Sequence, residues 1–318
     1  MQKLSEDAKE LRKLWGGFQS ARVLLTANNY RVFDFLKSSR SAEELAEILK
    51  ADARATEILL DALAGLGLLR KAKMRYQNTT TANRFLVRGT PYYQGDILRH
   101  ADILWKNWSG LDAVVRTGKP YHVGRDHDSF IRGMHNVASL KAGDVMKAID
   151  MRGIRHALDL GGGPGTYSIE MARKGVSVTL FDRPETIQIA RDIIRKSGQK
   201  NVGFLEGDFF SDDIGKGYDL VFVSQVLHSF SETDNRHIIG RTKKALNPNG
   251  RLVVQEFRIN KGRTSPPQSS LFSVNMLVNT AAGRCYSPRE MKQWFSEAGF
   301  RRITQKILED TVLVSGQQ

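Results

Sequence analysis

The C-terminal half of the chain alternates between short apolar segments and longer amphipathic segments, and this alternation limits the possible folds more than any other feature. The predicted strands lie at 157–160, 176–181, 202–205, 220–223, 251–257, 303–308 and 311–315. The predicted helices lie between them, at 167–173, 185–196, 234–246 and 288–298. Repeated strand–helix units build a parallel sheet covered by helices on both faces. The pattern therefore predicts an α/β domain at 151–318 with a Rossmann-like sheet and an antiparallel hairpin at one edge.

The N-terminal region predicts a second, mostly helical unit. Ser41 and Glu44 form a capping-box pattern in front of one helix. A second helix is predicted at 53–66, and a short hairpin follows at 68–79. Helix, helix and hairpin in this order are typical of a winged helix-turn-helix.

That motif has two interpretations, DNA binding and protein–protein packing. A recognition helix needs a polar face that can contact base edges. The second helix is instead apolar over most of its surface and carries the acids Glu57 and Asp61. We expect an all-α winged-helix dimerisation domain at 1–100 and a helical linker at 101–150 that lines a substrate pocket. A winged-helix DNA-binding regulator is the alternative.

Charge and cysteine content restrict the partners. The formal net charge is +14, but no run of five basic residues occurs, so we expect no nucleic-acid partner. No segment approaches the roughly 20 apolar residues that span a bilayer, and the N-terminus lacks a signal-peptide pattern. A cytoplasmic protein without a membrane partner is the expectation. The single cysteine, Cys285, excludes an intrachain disulfide and a multi-cysteine metal site, and we expect no metal.

A glycine loop, Asp159–Gly165, separates the first predicted strand from its helix. A dinucleotide fingerprint would place a third glycine at position 166, where Thr166 stands. S-adenosylmethionine (SAM) carries no phosphate and fits a loop of this kind, because Gly161 and Gly163 let the main chain approach its methionine group. Asp159 can help to hold the ammonium group through water or backbone.

Two further signals follow the next two strands. Asp182 ends the second strand, where its carboxylate can accept hydrogen bonds from ribose hydroxyls. Asp208 follows the third strand and can accept from the adenine amino group, while Phe209 offers a flat face to the ring. Open α/β sheets bind ligands at the carboxyl ends of their strands. Together these features predict SAM as the cofactor and S-adenosylhomocysteine as its product.

The motifs and their order resemble the class I SAM-dependent O-methyltransferases of the caffeate and hydroxyindole type and their bacterial relatives. The resemblance covers nearly the whole chain. Its motifs are Arg22–Leu25, Gly67–Leu69, Leu158–Gly165, Phe181–Pro184, Gly207–Phe210, Val226–Ser231 and Ala298–Phe300. It implies a homodimer formed through the N-terminal domain.

The resemblance also implies catalytic roles. His228 matches the general base, Glu256 matches a family acid that can orient the imidazole, and Ser224 stands at a cofactor-binding position where many relatives have lysine. The chain differs from many relatives at Ser229, where they have aspartate, and at Cys285, where they have an acid. An imidazole titrates near pH 6.5 and can accept a phenolic proton at neutral pH.

For the methyl acceptor, the resemblance implies a pocket lined by Met134, His135, Phe272 and Met276. The predicted function is methyl transfer from SAM to a hydroxyl oxygen of a small aromatic molecule. Three alternatives stay open at this point: transfer to carbon, transfer to nitrogen, and SAM binding without methyl transfer.

Overall fold

The N-terminal part of the chain forms its own compact unit, which ends at Asp102. The computed structural model describes residues 2–318, with side chains from Leu4 onward. The helices of this part are α1 (Gln2–Asn29), α2 (Val32–Phe35), α3 (Ala42–Leu49), α4 (Ala53–Gly65), α5 (Thr80–Phe85) and α6 (Gly95–Trp108), the last of which crosses the boundary. The strands β1 (Arg40–Ser41), β2 (Leu69–Ala72) and β3 (Arg75–Asn78) form an antiparallel sheet in the order β1-β3-β2.

The local signals in this unit act as the sequence predicts. The hydroxyl of Ser41 accepts from the Glu44 N–H and the Glu44 carboxylate accepts from the Ser41 N–H, which completes the capping box of α3. The phenol of Tyr76, a fully buried residue on β3, donates to Asp61 Oδ1 on α4 over 2.7 Å. Lys71 on β2 pairs with the same oxygen at 2.7 Å. The hairpin is thus tied to the predicted second helix, and the winged order of elements is present, with β1 as an additional strand.

The second unit comprises Ile103–Gln318 and is built around a seven-stranded sheet. Its strands are β4 (His156–Leu160), β5 (Ser177–Asp182), β6 (Val202–Glu206), β7 (Tyr218–Ser224), β8 (Leu246–Phe257), β9 (Arg301–Leu308) and β10 (Thr311–Gln317). Its other helices are α7 (Leu111–Thr117), α8 (His127–Ser139), α9 (Ala142–Ala148), α10 (Thr166–Arg173), α11 (Pro184–Ser197), α12 (Glu232–Ala245), α13 (Pro267–Asn279) and α14 (Pro288–Glu297).

The strand order is β6-β5-β4-β7-β8-β10-β9. Strands β4 to β8 are parallel, and β10 pairs antiparallel with both β8 and β9. This arrangement confirms the predicted α/β class and its edge hairpin. Residues 247–250 have the sequence Asn-Pro-Asn-Gly, which is typical of a turn. They form a bulge inside β8, because pairing with β7 passes from Tyr218↔Leu246 directly to Leu220↔Arg251.

Alternating side chains of the sheet supply two separate cores. Val221 and Val223 of β7 belong to the core on one face, and Leu220 and Phe222 belong to the core on the other. Because β4 to β8 are parallel, all of their carboxyl ends lie along one edge. The glycine loop, Asp182, Asp208, Ser224 and Glu256 come at or directly after these strand ends. Within residues 2–318, no helix is both long and apolar enough to span a membrane.

Candidate active site

The glycine loop leaves β4 through three residues with positive φ, Gly161 at 68°, Gly163 at 55° and Gly165 at 75°. Side chains are also excluded by packing at two of these positions. A Cβ atom on Gly161 would lie 2.8 Å from Val226, and one on Gly165 would lie 2.7 Å from Ile194. Only glycine satisfies both the backbone conformation and the space. The loop therefore presents bare main chain at the sheet edge.

Asp159 lies beneath this loop. It is 1% exposed, and its Oδ2 accepts from Ser168 Oγ over 2.6 Å. Burial raises the pKa of the Asp159 carboxyl to about 7, against the opposing effect of the Ser168 hydrogen bond. A Cβ atom on Gly162 would lie 2.9 Å from Asp159 Cγ. Asp159 thus packs against the underside of the loop. Its contact with a ligand ammonium, through water or backbone, stays a prediction.

Asp182 contacts the loop directly. Its Oδ2 accepts from the Gly163 N–H and its Oδ1 from the Arg183 N–H, each over 2.8 Å. Burial raises the pKa of the Asp182 carboxyl, and the two N–H donors oppose that effect by stabilising its charge. The carboxylate is therefore held at a defined position beside the glycine loop, and each oxygen keeps acceptor capacity for a further donor.

The segment after β6 places the aromatic ring of Phe209 beside the glycine loop. Asp208 is exposed, and its Oδ1 accepts from the Phe210 N–H over 2.8 Å. The Phe209 ring packs edge-on against Phe230 with 5.6 Å between centroids, and its Cε1 lies 3.8 Å from where a Cβ of Gly161 would stand. The structure thus places Phe209 against the loop.

His228 and Glu256 form a buried pair. His228 lies in a single 3-10 turn, Leu227–Ser229, that follows β7. Its Nδ1 lies 2.8 Å from Glu256 Oε2, and its backbone N–H donates to Glu256 Oε1 over 3.2 Å. The two residues are 7% and 2% exposed. A carboxylate can only accept, so Nδ1 carries the proton and Nε2 of the neutral ring presents a lone pair.

Apolar rings surround the imidazole. Phe272 on α13 packs edge-on against it at 4.9 Å, and Phe257 lies 5.8 Å away. A Cβ atom on Gly283 would lie only 2.3 Å from the His228 carbonyl oxygen, so the chain passes tightly over this turn. Met276, on the same helix as Phe272, is 7% exposed. Phe272, which is predicted to line the pocket for the methyl acceptor, therefore packs against His228, the predicted base.

Other predicted residues lie elsewhere along the same edge. His135 Nδ1 is 2.8 Å from the hydroxyl of Thr166, the first residue of α10, which places His135 beside the glycine loop. Burial lowers the pKa of His135, and the charge of Arg132 adds to the effect. Ser224 donates to Gln255 Oε1 over 2.9 Å. Met134, the neighbour of His135 on α8, is half-buried. The predicted roles of these residues stay predictions.

Burial raises the pKa of the Cys285 thiol to about 11, so the thiol is neutral near pH 7. Cys285 is 2% exposed, and its N–H donates to Ser273 Oγ over 3.1 Å. A neutral thiol cannot act as the acid that the family resemblance implies at this position. Glu256 thus supplies the acidic contact to His228.

Sequence reasoning missed a contact between α8 and α11. His127 Nε2 lies 3.1 Å from the hydroxyl of Thr186, four residues after Asp182. No local pattern marks either residue, because the contact joins positions 59 residues apart. In the described part of the chain, no group of three or more His, Cys, Asp or Glu side chains could hold a metal.

Comparison with known proteins decides the family. Residues 95–301, well over half of the chain, match the model of the O-methyltransferase domain, and residues 13–88 match the O-methyltransferase dimerisation domain. The chain belongs to the O-methyltransferase family. The predicted family, the predicted enzyme class and the predicted fold are confirmed.

Individual relatives of this O-methyltransferase cover nearly its full length. It is 31% identical to 3-hydroxy-5-methyl-1-naphthoate 3-O-methyltransferase of Streptomyces sahachiroi, over 92% of this chain and 89% of that one. It is 32% identical to the rat (Rattus norvegicus) acetylserotonin O-methyltransferase, over 94% and 74%. The structure of human N-acetylserotonin methyltransferase in complex with SAM matches with a TM-score of 0.90 at 27% identity, over 98% and 97%.

Proposed function

We propose that this O-methyltransferase moves the methyl group of SAM to a hydroxyl oxygen of a small aromatic acceptor, with His228 as general base. The observation that carries the proposal is the shared position of two features. The glycine loop with Asp182 and the buried His228–Glu256 pair both follow carboxyl ends of neighbouring parallel strands. Cofactor and base therefore act at one edge of the sheet.

The residues at this edge suit SAM. Gly161 and Gly163 expose main chain for close approach of the methionine group, and the Asp182 carboxylate can accept from the ribose hydroxyls. Asp208 and Phe209 would receive the adenine. When bound, SAM supplies an electrophilic methyl group on a sulfonium. The complex of human N-acetylserotonin methyltransferase with SAM supports the assignment.

The chemistry left to the protein is proton removal and positioning. A hydroxyl is a weak nucleophile until its proton is removed, and the lone pair on His228 Nε2 can accept that proton. Glu256 fixes the ring orientation and stabilises the imidazolium that results. The low exposure of both residues keeps water from competing as a proton acceptor. In-line displacement also requires that the hydroxyl oxygen is positioned toward the methyl group.

The acceptor is an aromatic hydroxyl compound in this proposal. Phe257 and Phe272, whose ring centroids lie 4.2 Å apart, form an apolar surface beside His228 that suits a flat ring. The relatives support the same class, since one is named for a hydroxynaphthoate and another for acetylserotonin.

The function is tested with the purified protein and isotopically labelled SAM. We expect one SAM site per chain by calorimetry and transfer of label to hydroxylated indoles or naphthoates. Mass spectrometry of the product locates the methyl group on oxygen, carbon or nitrogen. Absence of SAM binding would contradict the whole proposal, whereas a carbon-linked or nitrogen-linked label would contradict only the assignment to oxygen.

We further propose that the enzyme is a homodimer formed through residues 13–88, the segment that matches the dimerisation domain. Helix α1 supports this, because large apolar side chains along it are more than half exposed: Leu4, Leu11, Leu14, Trp15 and Phe18. Exposed apolar stripes of this kind mark protein–protein interfaces. Light scattering during gel filtration should give twice the 35.7 kDa of one chain. A mass of 35.7 kDa at micromolar concentration would refute the dimer.

A further inference from the structure

Two polar pairs join the ends of β7 and β8. One is the His228–Glu256 pair of the proposed base. The other consists of Ser224 and Gln255, which pair in register, and Ser224 Oγ donates to Gln255 Oε1 over 2.9 Å. Because side chains alternate along a strand, Gln255 and Glu256 point to opposite faces of the sheet. The Ser224–Gln255 pair therefore lies apart from the base, and the proposed proton transfer does not use it.

The sheet face that carries this pair is the one covered by α10. Phe222, two residues before Ser224 on β7, packs against Tyr167 of α10 with 5.1 Å between ring centroids. Asp159 on β4 pairs in register with Phe222, and its Oδ2 accepts from Ser168 of α10. Residues two apart on a strand share a face. Ser224 thus lies on the same face as Asp159, at the end of the strand next to β4.

The Gln255 amide determines the direction of the Ser224 hydrogen bond. A carbonyl oxygen can only accept, so the single hydroxyl proton of Ser224 is held by Gln255 Oε1. Ser224 is partly exposed, and its oxygen keeps a lone pair that can accept a further hydrogen bond. A ligand group that Ser224 contacts in this orientation must therefore be a donor.

The other end of the same amide has no partner. Gln255 is fully buried, and within the described part of the chain its Nε2 makes no hydrogen bond. A buried donor without a partner destabilises a fold, whereas an apolar side chain of similar size would avoid that cost. The two residues before it on β8, Val253 and Val254, are buried and apolar. An amide at this position therefore indicates a role in binding rather than in stability.

The order of the strands indicates which part of the cofactor lies near Ser224. Along the edge, β6, β5, β4 and β7 are successive neighbours. In the proposed function Asp208 after β6 receives the adenine, Asp182 of β5 receives the ribose, and the glycine loop after β4 receives the methionine group. Neighbouring strands are about 4.8 Å apart, so the amino-acid end of SAM extends toward β7. That end carries a carboxylate, which can only accept, and an ammonium group, which can only donate.

We propose that Ser224 accepts a hydrogen bond from the ammonium group of SAM and that Gln255 is the positioning residue that holds Ser224 in the accepting orientation. This inference rests on the proposed function, because it assumes that SAM binds at this edge. Asp159, on the same face, is 1% exposed and already bonded to Ser168, so Ser224 is the more accessible oxygen acceptor of the two. Gln255 does not touch the cofactor and acts through Ser224.

The experiment measures affinities by calorimetry at neutral pH with the full-length protein. The ligands are S-adenosylhomocysteine, its analogue without the amino group and its analogue without the carboxylate. The amino-group preference is the ratio of the affinities for S-adenosylhomocysteine and for the analogue without the amino group. Ser224→Ala should lower this preference about tenfold, the usual effect of one hydrogen bond to a charged group. Its affinity for the analogue without the amino group should equal that of the wild type.

Two further variants test the role of Gln255. Gln255→Leu leaves the Ser224 hydroxyl free to turn and should lower the amino-group preference by a smaller factor. Because Gln255 acts through Ser224, the double variant should lower the preference no further than Ser224→Ala alone. The double variant also replaces both partners by apolar groups and removes the unpartnered amide, so its thermal unfolding midpoint should be no lower than that of the wild type. Retained stability with a lost preference separates a binding role from a structural one.

Ser197→Ala is the matched control, because Ser197 is another partly buried serine, at the last residue of α11, and its hydroxyl donates to the Ile194 carbonyl. It should leave all three affinities unchanged. An unchanged amino-group preference in Ser224→Ala, or an equal loss of affinity for all three ligands, would overturn the inference. So would a loss that follows the carboxylate instead of the amino group. Failure of the wild type to bind S-adenosylhomocysteine would instead overturn the proposed function.

Discussion

Replacing His228 with glutamine should lower the turnover number by about 10²- to 10⁴-fold, the usual contribution of a general base. Glutamine carries no group that can accept a proton from a hydroxyl near neutral pH. The affinity for SAM should change little, because the imidazole contacts Glu256 and Phe272, and Phe272 is assigned to the acceptor in the proposed function. Steady-state kinetics and calorimetry on the same preparation measure both quantities.

The matched control for this variant is His156→Gln. His156 is exposed and begins β4, at the end of the strand opposite the glycine loop. Its replacement should leave turnover and SAM affinity as they are. A His228→Gln enzyme that retained full turnover would show that methyl transfer proceeds by positioning alone.

The second large effect is expected for Glu256→Gln, which we predict to lower turnover by roughly 10²- to 10⁴-fold. Glu256 accepts from two donors, the ring Nδ1–H and the backbone N–H of His228. A glutamine has one oxygen and one NH₂ group, so one of these donors would meet another donor. If the NH₂ group faces the ring, the imidazole must place its proton on Nε2, and the lone pair needed for catalysis is lost.

Glu309→Gln is the control for Glu256→Gln, because Glu309 is exposed in the turn between β9 and β10. Thermal unfolding should be recorded for both variants, since Glu256 is 2% exposed and its replacement can also affect stability. A properly folded Glu256→Gln enzyme with wild-type turnover would show that Glu256 does not position His228. Such a result would leave the assignment of His228 as base untouched.

Much of the cofactor edge follows from local sequence. A strand can be recognised from its own pattern of alternating or continuous apolar residues. The loop glycines and the acids of the site come at or directly after the ends of such strands. Parallel pairing then brings the ends of β4, β5 and β6 together whatever the details of packing. For this reason the positions of Gly161, Asp182 and Phe209 could be predicted before any fold was known.

Other features depend on contacts that no local pattern encodes. Ser41 and Glu44 are three residues apart, so their capping box is visible in the sequence. The bulge at 247–250 is different, since it appears as an ordinary turn until β7 pairs across both of its ends. The burial of Asp159 is likewise a result of loop packing above it and of Ser168 beside it.

The fold class, the family resemblance and the strand ends at which the cofactor residues lie could be predicted from the sequence, because these depend on apolar periodicity and on short motifs. How the side chains meet depends on packing in the folded protein. The His228–Glu256 pair spans 28 residues and exists because β7 and β8 are neighbours. The His127–Thr186 contact spans 59 residues and exists because α8 packs against α11. Contacts over such separations depend on how strands and helices pack, which no short segment of sequence specifies.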